Sequence, residues 1–261
     1  MGLGDDLMFL GECEKIYKEY GEKIFPMMHK RPLPPHKWSP MYDNVDFITD
    51  DPAEAGFSMN IKPTKKGKQL YIDDDTAECQ TYLQYEPVPF ALKLTKEEQK
   101  IIEDLRLELG HFVIVNPDYK GDVFGENKNW GAEKWQELIN KLSHNFHVVR
   151  LITDDRKFEN CTELKINDVR IAFGLTQFAE FVVSSEGGLV HAATGFGTKC
   201  VVLFNGLTPP WAFGYENNIN ITFDHEETPC GRKYNCEHCR EGWEQLTVDF
   251  VYEKCNDLFL S

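Results

Sequence analysis

The chain has 261 residues, 41% of them hydrophobic and 13% aromatic, which is enough apolar material to bury one large core or two smaller ones. Its 28 Lys+Arg against 43 Asp+Glu give a formal net charge of −15, a field that repels a phosphate backbone, so no nucleic-acid partner is expected. No apolar run reaches membrane-span length and no basic segment leads into an apolar one at the N-terminus, so the expectation is a cytoplasmic protein with no membrane span and no signal peptide.

In chain order, Gly2-Leu3-Gly4-Asp5-Asp6 precedes Leu7, Met8, Phe9, Leu10, Ile16 and Tyr17 at helical spacing, which predicts a glycine turn feeding a helix to about Tyr20. Short strands are predicted at Lys23 to Met28, Val45 to Thr49, Phe57 to Ile61 and Gln69 to Ile72, followed by a helix around Asp75 to Gln84. Val88 to Leu94 reads as extended, and Thr95 with Glu98 forms a capping box for a charged helix to Leu109. The domain boundary is placed here, giving residues 1–92 and 93–261, the latter with a Cys-rich segment at 225–255. Beyond it the alternation is regular. Strands at His111 to Asn116, Phe146 to Ile152, Phe181 to Ser184 and Cys200 to Phe204 alternate with helices at Ala132 to Leu142, Val169 to Leu175 and Leu189 to Gly195, and Trp243 to Leu258 forms a closing helix. That order predicts an α/β protein with a parallel sheet wound by right-handed crossovers.

The segment Val183-Ser184-Ser185-Glu186-Gly187-Gly188-Leu189-Val190-His191 is an apolar run, two glycines and a helix start. Unsatisfied N–H groups at a helix N-terminus attract anions, and glycines let a diphosphate approach them. Two glycines alone also suit a tight turn in a sheet; Glu186 and His191 beside them, an acceptor for hydroxyls and a donor to phosphate, favour the anion site. Asn116 ends the first strand of the second half, at the strand end where open α/β sheets bind ligands. Lys128, in the loop before the next helix, is either a solvated charge or a phosphate ligand. Asp5 at the start of the first helix is either an N-terminal cap or a base that takes a proton from a hydroxyl, and Asp6 competes for both roles.

Eight cysteines without an export signal point to thiols or a metal rather than a disulfide framework. Cys236 and Cys239 have knuckle spacing, and Cys230 and Cys255 complete a tetrahedral set, with His225 and His238 nearby. Structural zinc or iron is expected there, with free thiols the other reading.

Together, Gly2-Leu3-Gly4-Asp5-Asp6-Leu7, Asn116-Pro117 with Lys128-Asn129-Trp130, and Val183 to Ala193 resemble motifs of the heptosyltransferases: the ADP-heptose enzymes of lipopolysaccharide core assembly and their autotransporter-modifying relatives. The resemblance implies two Rossmann-like domains facing across a cleft (GT-B type), here with a reduced N-terminal domain. It implies an inverting transfer of heptose or a related hexose, without a catalytic metal, from a nucleotide diphosphate donor such as ADP-heptose to a glycan or protein hydroxyl. By position, Asp5 matches the general base, and Asn116, Lys128, Glu186, Gly187, Gly188, Leu189 and His191 match the donor site. Autotransporter-modifying members carry a four-cysteine iron knuckle, similar in kind to the cysteines here. A non-catalytic nucleotide-sugar-binding protein and a sugar-nucleotide epimerase are the alternatives. Two features depart from the family pattern: Glu186-Gly187 stands where Asp and Ser or Thr are usual, and the family's hydrophobic strand before the glycine turn is not in this sequence, either because it lies upstream or because the sheet has lost it.

Overall fold

The computed structural model describes residues 2–28, 31–62, 71–119, 126–223, 229–234 and 236–260. Helix α1 (Leu3–Tyr20) starts directly after Gly2, so the Gly-Asp pair lies in its first turn rather than in a preceding loop. It ends at Gly21, whose left-handed φ of 71° lets its N–H reach Tyr17 O. Strand β1 (Lys23–Met28) follows, antiparallel to β2 (Arg31–Pro32) and parallel to β3 (Ala55–Lys62), in the order β2-β1-β3.

Two predicted elements of this half form differently. Val45 to Thr49 contributes only an isolated bridge, Ile24 to Ile48, because bonds from Val45 N to Tyr42 O and from Ile48 N to Val45 O wind it into successive turns. The helix predicted around Asp75 to Gln84 is instead the antiparallel hairpin of β4 (Ile72–Asp75) and β5 (Gln80–Tyr82). Thr76 decides this: its hydroxyl accepts the amides of Glu78 and Cys79, a local bond pattern that competes with helix. Residues 69 and 70 of the predicted fourth strand, and His225, lie outside the described residues.

The second half follows the predicted alternation. Helix α2 (Lys96–Leu109) carries the expected capping box, with Glu98 N on Thr95 Oγ1 at 3.1 Å and Thr95 N on the Glu98 carboxylate at 2.6 Å. Then come β6 (Phe112–Asn116), α3 (Ala132–Leu142), β7 (His147–Leu151), β8 (Thr162–Leu164), α4 (Val169–Leu175), β9 (Val182–Ser185), α5 (Gly188–Gly195), β10 (Cys200–Leu203), α6 (Pro210–Phe213) and β11 (Ile219–Ile221). The predicted closing helix is two helices, α7 (Glu237–Gln245) and α8 (Val248–Leu260), the second opened by Thr247, whose hydroxyl accepts the Phe250 amide.

The six-stranded sheet is parallel throughout, in the order β11-β10-β9-β6-β7-β8. This is the order of a doubly wound Rossmann sheet, with its reversal between β6 and β9. Alternate residues face opposite layers: Val113, Val115, Val183 and Val201 pack with α3 and α8, whereas Ile114, Val182 and Val202 pack with α5. On that second face the cluster continues without a break into Leu7, Phe9 and Leu10 of α1 and Ile24 of β1, so the first half covers one face of the sheet.

Candidate functional site

The strand order places the crevice at the carboxyl ends of β6 and β9, and the residues expected to bind a ligand gather there. Asn116 and Ser184 are register partners, joined by Asn116 Nδ2 donating to Ser184 Oγ at 3.0 Å. Ser185 Oγ donates to Lys128 O at 2.9 Å, and Lys128 Nζ reaches back to Glu186 O at 3.0 Å and to the Glu186 carboxylate. The other Glu186 oxygen lies 3.4 Å from His191 Nε2, and His191 Nδ1 meets Tyr215 OH at 2.8 Å. Glu186 and His191 are buried, Lys128 partly so. Burial acts to raise the Glu186 pKa, but the Lys128 charge and the contact with His191 outweigh it and hold the carboxyl down at about 2.

The α5 start follows β9 at this end of the sheet. Gly187 O accepts the amides of Val190 and His191, leaving those of Gly188 and Leu189 at the helix end without an intrahelical carbonyl. The α1 start abuts it. A Cβ on Gly188 would lie 3.3 Å from Gly4 N, and one on Gly4 would lie 2.8 Å from His191 Cδ2, so two glycines let two helix N-termini meet.

On α1, Asp5 is half-buried and accepts from Gly2 N at 3.0 Å and from the Tyr71 hydroxyl at 2.7 Å. It is thus a helix cap on one oxygen and the acceptor of a tertiary bond on the other. Asp6 turns inward and accepts from Tyr42 OH at 3.0 Å. Burial pushes its carboxyl up to about 6, against hydrogen bonds from Ser39 and Tyr42 and with the Asp5 charge adding to the rise. Tyr71, Tyr42 and Tyr215 had no signal in the sequence, since each is remote along the chain from the residue it serves.

The cysteine cluster forms with one change of partner. Cys230, Cys236, Cys239 and His238 bring their ligand atoms within 4.8 Å of one another. Cys255, expected as the fourth ligand, is instead packed in the core on the α8 face with Val248, Val251 and Leu258, and His238 takes its place. The sulfurs of Cys230 and Cys239 are 3.6 Å apart and those of Cys230 and Cys236 3.9 Å. A tetrahedral ion with metal–sulfur bonds of about 2.3 Å sets sulfur pairs about 3.8 Å apart, so the donor set fits zinc or iron. Gly206 forms one wall: a Cβ there would sit 3.0 Å from the sulfurs of Cys230 and Cys239. A hydrogen bond from Cys239 draws the Cys230 thiol below its ordinary range against its burial, the direction that suits a thiolate ligand. All eight cysteines are unbridged.

No helix of the described residues is long and apolar enough to cross a membrane. No family model matches the chain, and no curated protein does either. Among solved structures it is similar to TibC, the iron-containing dodecameric glycosyltransferase of enterotoxigenic E. coli, with a TM-score of 0.63 and 12% identity over 99% of this chain and 73% of that one. It is also similar to a family 9 glycosyl transferase from Veillonella parvula, with a TM-score of 0.50 and 13% identity over 65% of this chain and 53% of that one. For E. coli ADP-heptose lipopolysaccharide heptosyltransferase II the TM-score is 0.49 at 17% identity, over 65% of this chain and 53% of that one. The chain therefore spans about half the length of the last two. What these likenesses show is the fold: an α/β architecture shared with glycosyltransferases.

Proposed function

We propose that this chain is an inverting glycosyltransferase of GT-B type, with an acceptor-side unit at 1–92 and a nucleotide-sugar unit at 93–261. The observation that carries the reading is the meeting of two helix N-termini at the sheet's switch point, with Asp5 on one side and Lys128, Glu186 and His191 on the other. Helix ends and switch points are where α/β proteins hold diphosphates. The donor is a nucleotide diphosphate sugar, ADP-heptose or a related hexose donor, and the acceptor a glycan or protein hydroxyl, in the cytoplasm.

In this reading the Gly188 and Leu189 amides of α5 and Lys128 receive the diphosphate, with Gly187 placing no side chain in its way and Asn116 at its edge. Glu186, held ionised, accepts from sugar hydroxyls. Asp5 takes the proton from the acceptor hydroxyl as its oxygen bonds to the anomeric carbon, and the bond from that carbon to phosphate breaks on the opposite face. The departing diphosphate is stabilised by the helix ends. Zinc or iron at the cysteine cluster is structural, and no step passes through it.

The test is nucleoside diphosphate release from a panel of ADP-, UDP- and GDP-sugars, with and without acceptor glycans and peptides. Asp5→Asn is expected to bind donor as the parent does while losing roughly 10²–10⁴ in turnover. Donor binding with no release under any condition would point to a non-catalytic binder, and sugar interconversion without acceptor to an epimerase.

A further inference from the structure

The loop carrying the first cysteine of the cluster also reaches the other half of the molecule. Between residues 230 and 233 it docks edge-on against the β4–β5 hairpin. Gln80 donates its amide to Gly231 O at 2.7 Å, Lys233 donates to Glu78 O at 2.9 Å, and Cys79 and Arg232 form an antiparallel bridge. Gly231 sits there at a left-handed φ of 62°, and a Cβ on it would lie 2.0 Å from Gln80 O, so both conformation and space require glycine. On its other side the loop is held by Gly231 N on Gly206 O at 2.9 Å and by Asn127 Nδ2 on Arg232 O at 2.8 Å, one residue before Lys128.

The hairpin carries this placement onward. Ile72 pairs with Tyr82, Leu83 N donates to Tyr71 O at 2.8 Å, and the Tyr71 phenol donates to Asp5. Tyr71 is buried, its ring against Tyr85 and Phe213, and has little room to hold Asp5 from any other hairpin position. At the far end, one ion held by Cys230, Cys236, His238 and Cys239 would fix the start of the loop relative to α7, a constraint that unliganded thiols supply only weakly.

We propose that the Cys3His cluster is a clamp on the site: with a metal bound, the 230–233 loop serves as a short third strand on the β4–β5 hairpin and seats the Tyr71 phenol on the Asp5 carboxylate. Tyr71 is then a positioning residue for Asp5, a role that rests on the reading of Asp5 as the base.

Hydrogen exchange on the full chain tests the clamp without reference to turnover. The protein is loaded with one equivalent of Zn²⁺, or separately of Fe²⁺, and then stripped with a chelator. Exchange at Gln80 and Leu83 is expected to quicken at least roughly tenfold on stripping, while Val113, Val149 and Val183 in the main sheet keep their protection. Unchanged exchange at Gln80 and Leu83 overturns the clamp. So does loss of protection across the whole sheet, which would make the metal a support of the entire fold. Gly231→Ala, which leaves every ligand in place, is expected to speed the same two amides with the metal still bound, and parent-like exchange there counts against the proposal.

Kinetics separate the clamp from the base assignment. Tyr71→Phe is expected to lower kcat roughly 10- to 100-fold with donor KM unchanged, since it removes one hydrogen bond to a charged group. If Asp5→Asn keeps full turnover, the base reading falls and exchange alone judges the clamp. If Asp5→Asn is inactive but Tyr71→Phe matches the parent in kcat, or loses donor KM and kcat together, the positioning role is wrong.

Discussion

Asp5 and Asp6 are adjacent in sequence and oppositely placed, one half-buried with Tyr71 on it and one enclosed with Tyr42 on it. A buried carboxyl raised from 3.8 to about 6 makes the native state hold its proton more tightly than the unfolded chain does. Its contribution therefore favours the fold in acid and is lost as pH rises through about 6. Asp6→Asn, which carries no charge at any pH, is expected to gain up to about 3 kcal/mol over the parent above neutral pH, with the gap closing near pH 4. Melting curves of the two proteins from pH 4 to 8 check this, and a gap that does not widen with pH would show that Asp6 carries no such penalty. Glu186 has the opposite sign. Held down at about 2, it contributes stability that is fully present above its ordinary value of 4.5 and lost as pH falls towards 2. Glu186→Gln is expected to cost about 3 kcal/mol at neutral pH, by the same conversion, and to remove that acid dependence from the unfolding curve. The residues of this loop were legible because Glu186, the glycines and His191 stand together in sequence and Asn116 and Lys128 follow one strand. The tyrosines were not: Tyr71 is 66 positions from Asp5, Tyr215 is 24 from His191, and no local pattern marks either pairing. The choice between Cys255 and His238 was equally hidden, since spacing gives ligand candidates and only the burial of α8 shows which cysteine is packing.

At the scale of elements, the contact between α1 and α5 rests on Gly4 and Gly188. A Cβ on Gly188 would lie 3.0 Å from Phe173 Cζ as well as 3.3 Å from Gly4 N, and the backbone of α1 has no soft side chain to yield. Gly188→Ala is expected to move the two helix ends apart, lowering the melting temperature and weakening nucleoside diphosphate binding at least roughly tenfold, the equivalent of one lost hydrogen bond. Gly187→Ala is the control for packing: its backbone is extended and a Cβ would meet nothing nearer than 4.0 Å, so the melting temperature is expected to hold. Calorimetry and titration with ADP measure both effects. A Gly188→Ala protein with parent stability and parent affinity would show that the helix ends do not need this contact. The second half was readable as elements because buried parallel strands are continuous apolar runs separated by amphipathic helices of ordinary length. The first half was not, because its short pieces are set by single side chains. The Thr76 hydroxyl closes a hairpin where composition suggested a helix, and the 45–49 segment follows its own turns rather than its β-rich residues.

Across the whole molecule, Arg170 joins the two halves at one point. Its guanidinium donates to Glu98 Oε1 at 2.6 Å on α2, to Lys93 O at 2.6 Å in the connecting segment and to Pro40 O at 2.7 Å in the first half. The side chain is buried, so these acceptors have little water to turn to if it is removed. The hydrogen bond from Arg170 is the main reason the Glu98 carboxyl is held below its ordinary range, so this part of the link is lost as pH falls through the Glu98 pKa. Arg170→Met keeps the apolar stem and deletes the donors. It is expected to destabilise the fold by about 3 kcal/mol, the lower end for breaking a buried ion pair. For a chain of this size that is a fall of roughly 6–12 °C in melting temperature, with the deficit shrinking in acid as Glu98 is protonated. Because the apolar cluster runs unbroken from α1 and β1 through α5 to the sheet, the halves should still melt together in the variant. Calorimetry distinguishes the cases: a single lowered transition fits a link laid over a shared core, whereas a split into two transitions would mean that Arg170, and not the packing of Leu7, Phe9 and Leu10 against α5, keeps the first half on the sheet.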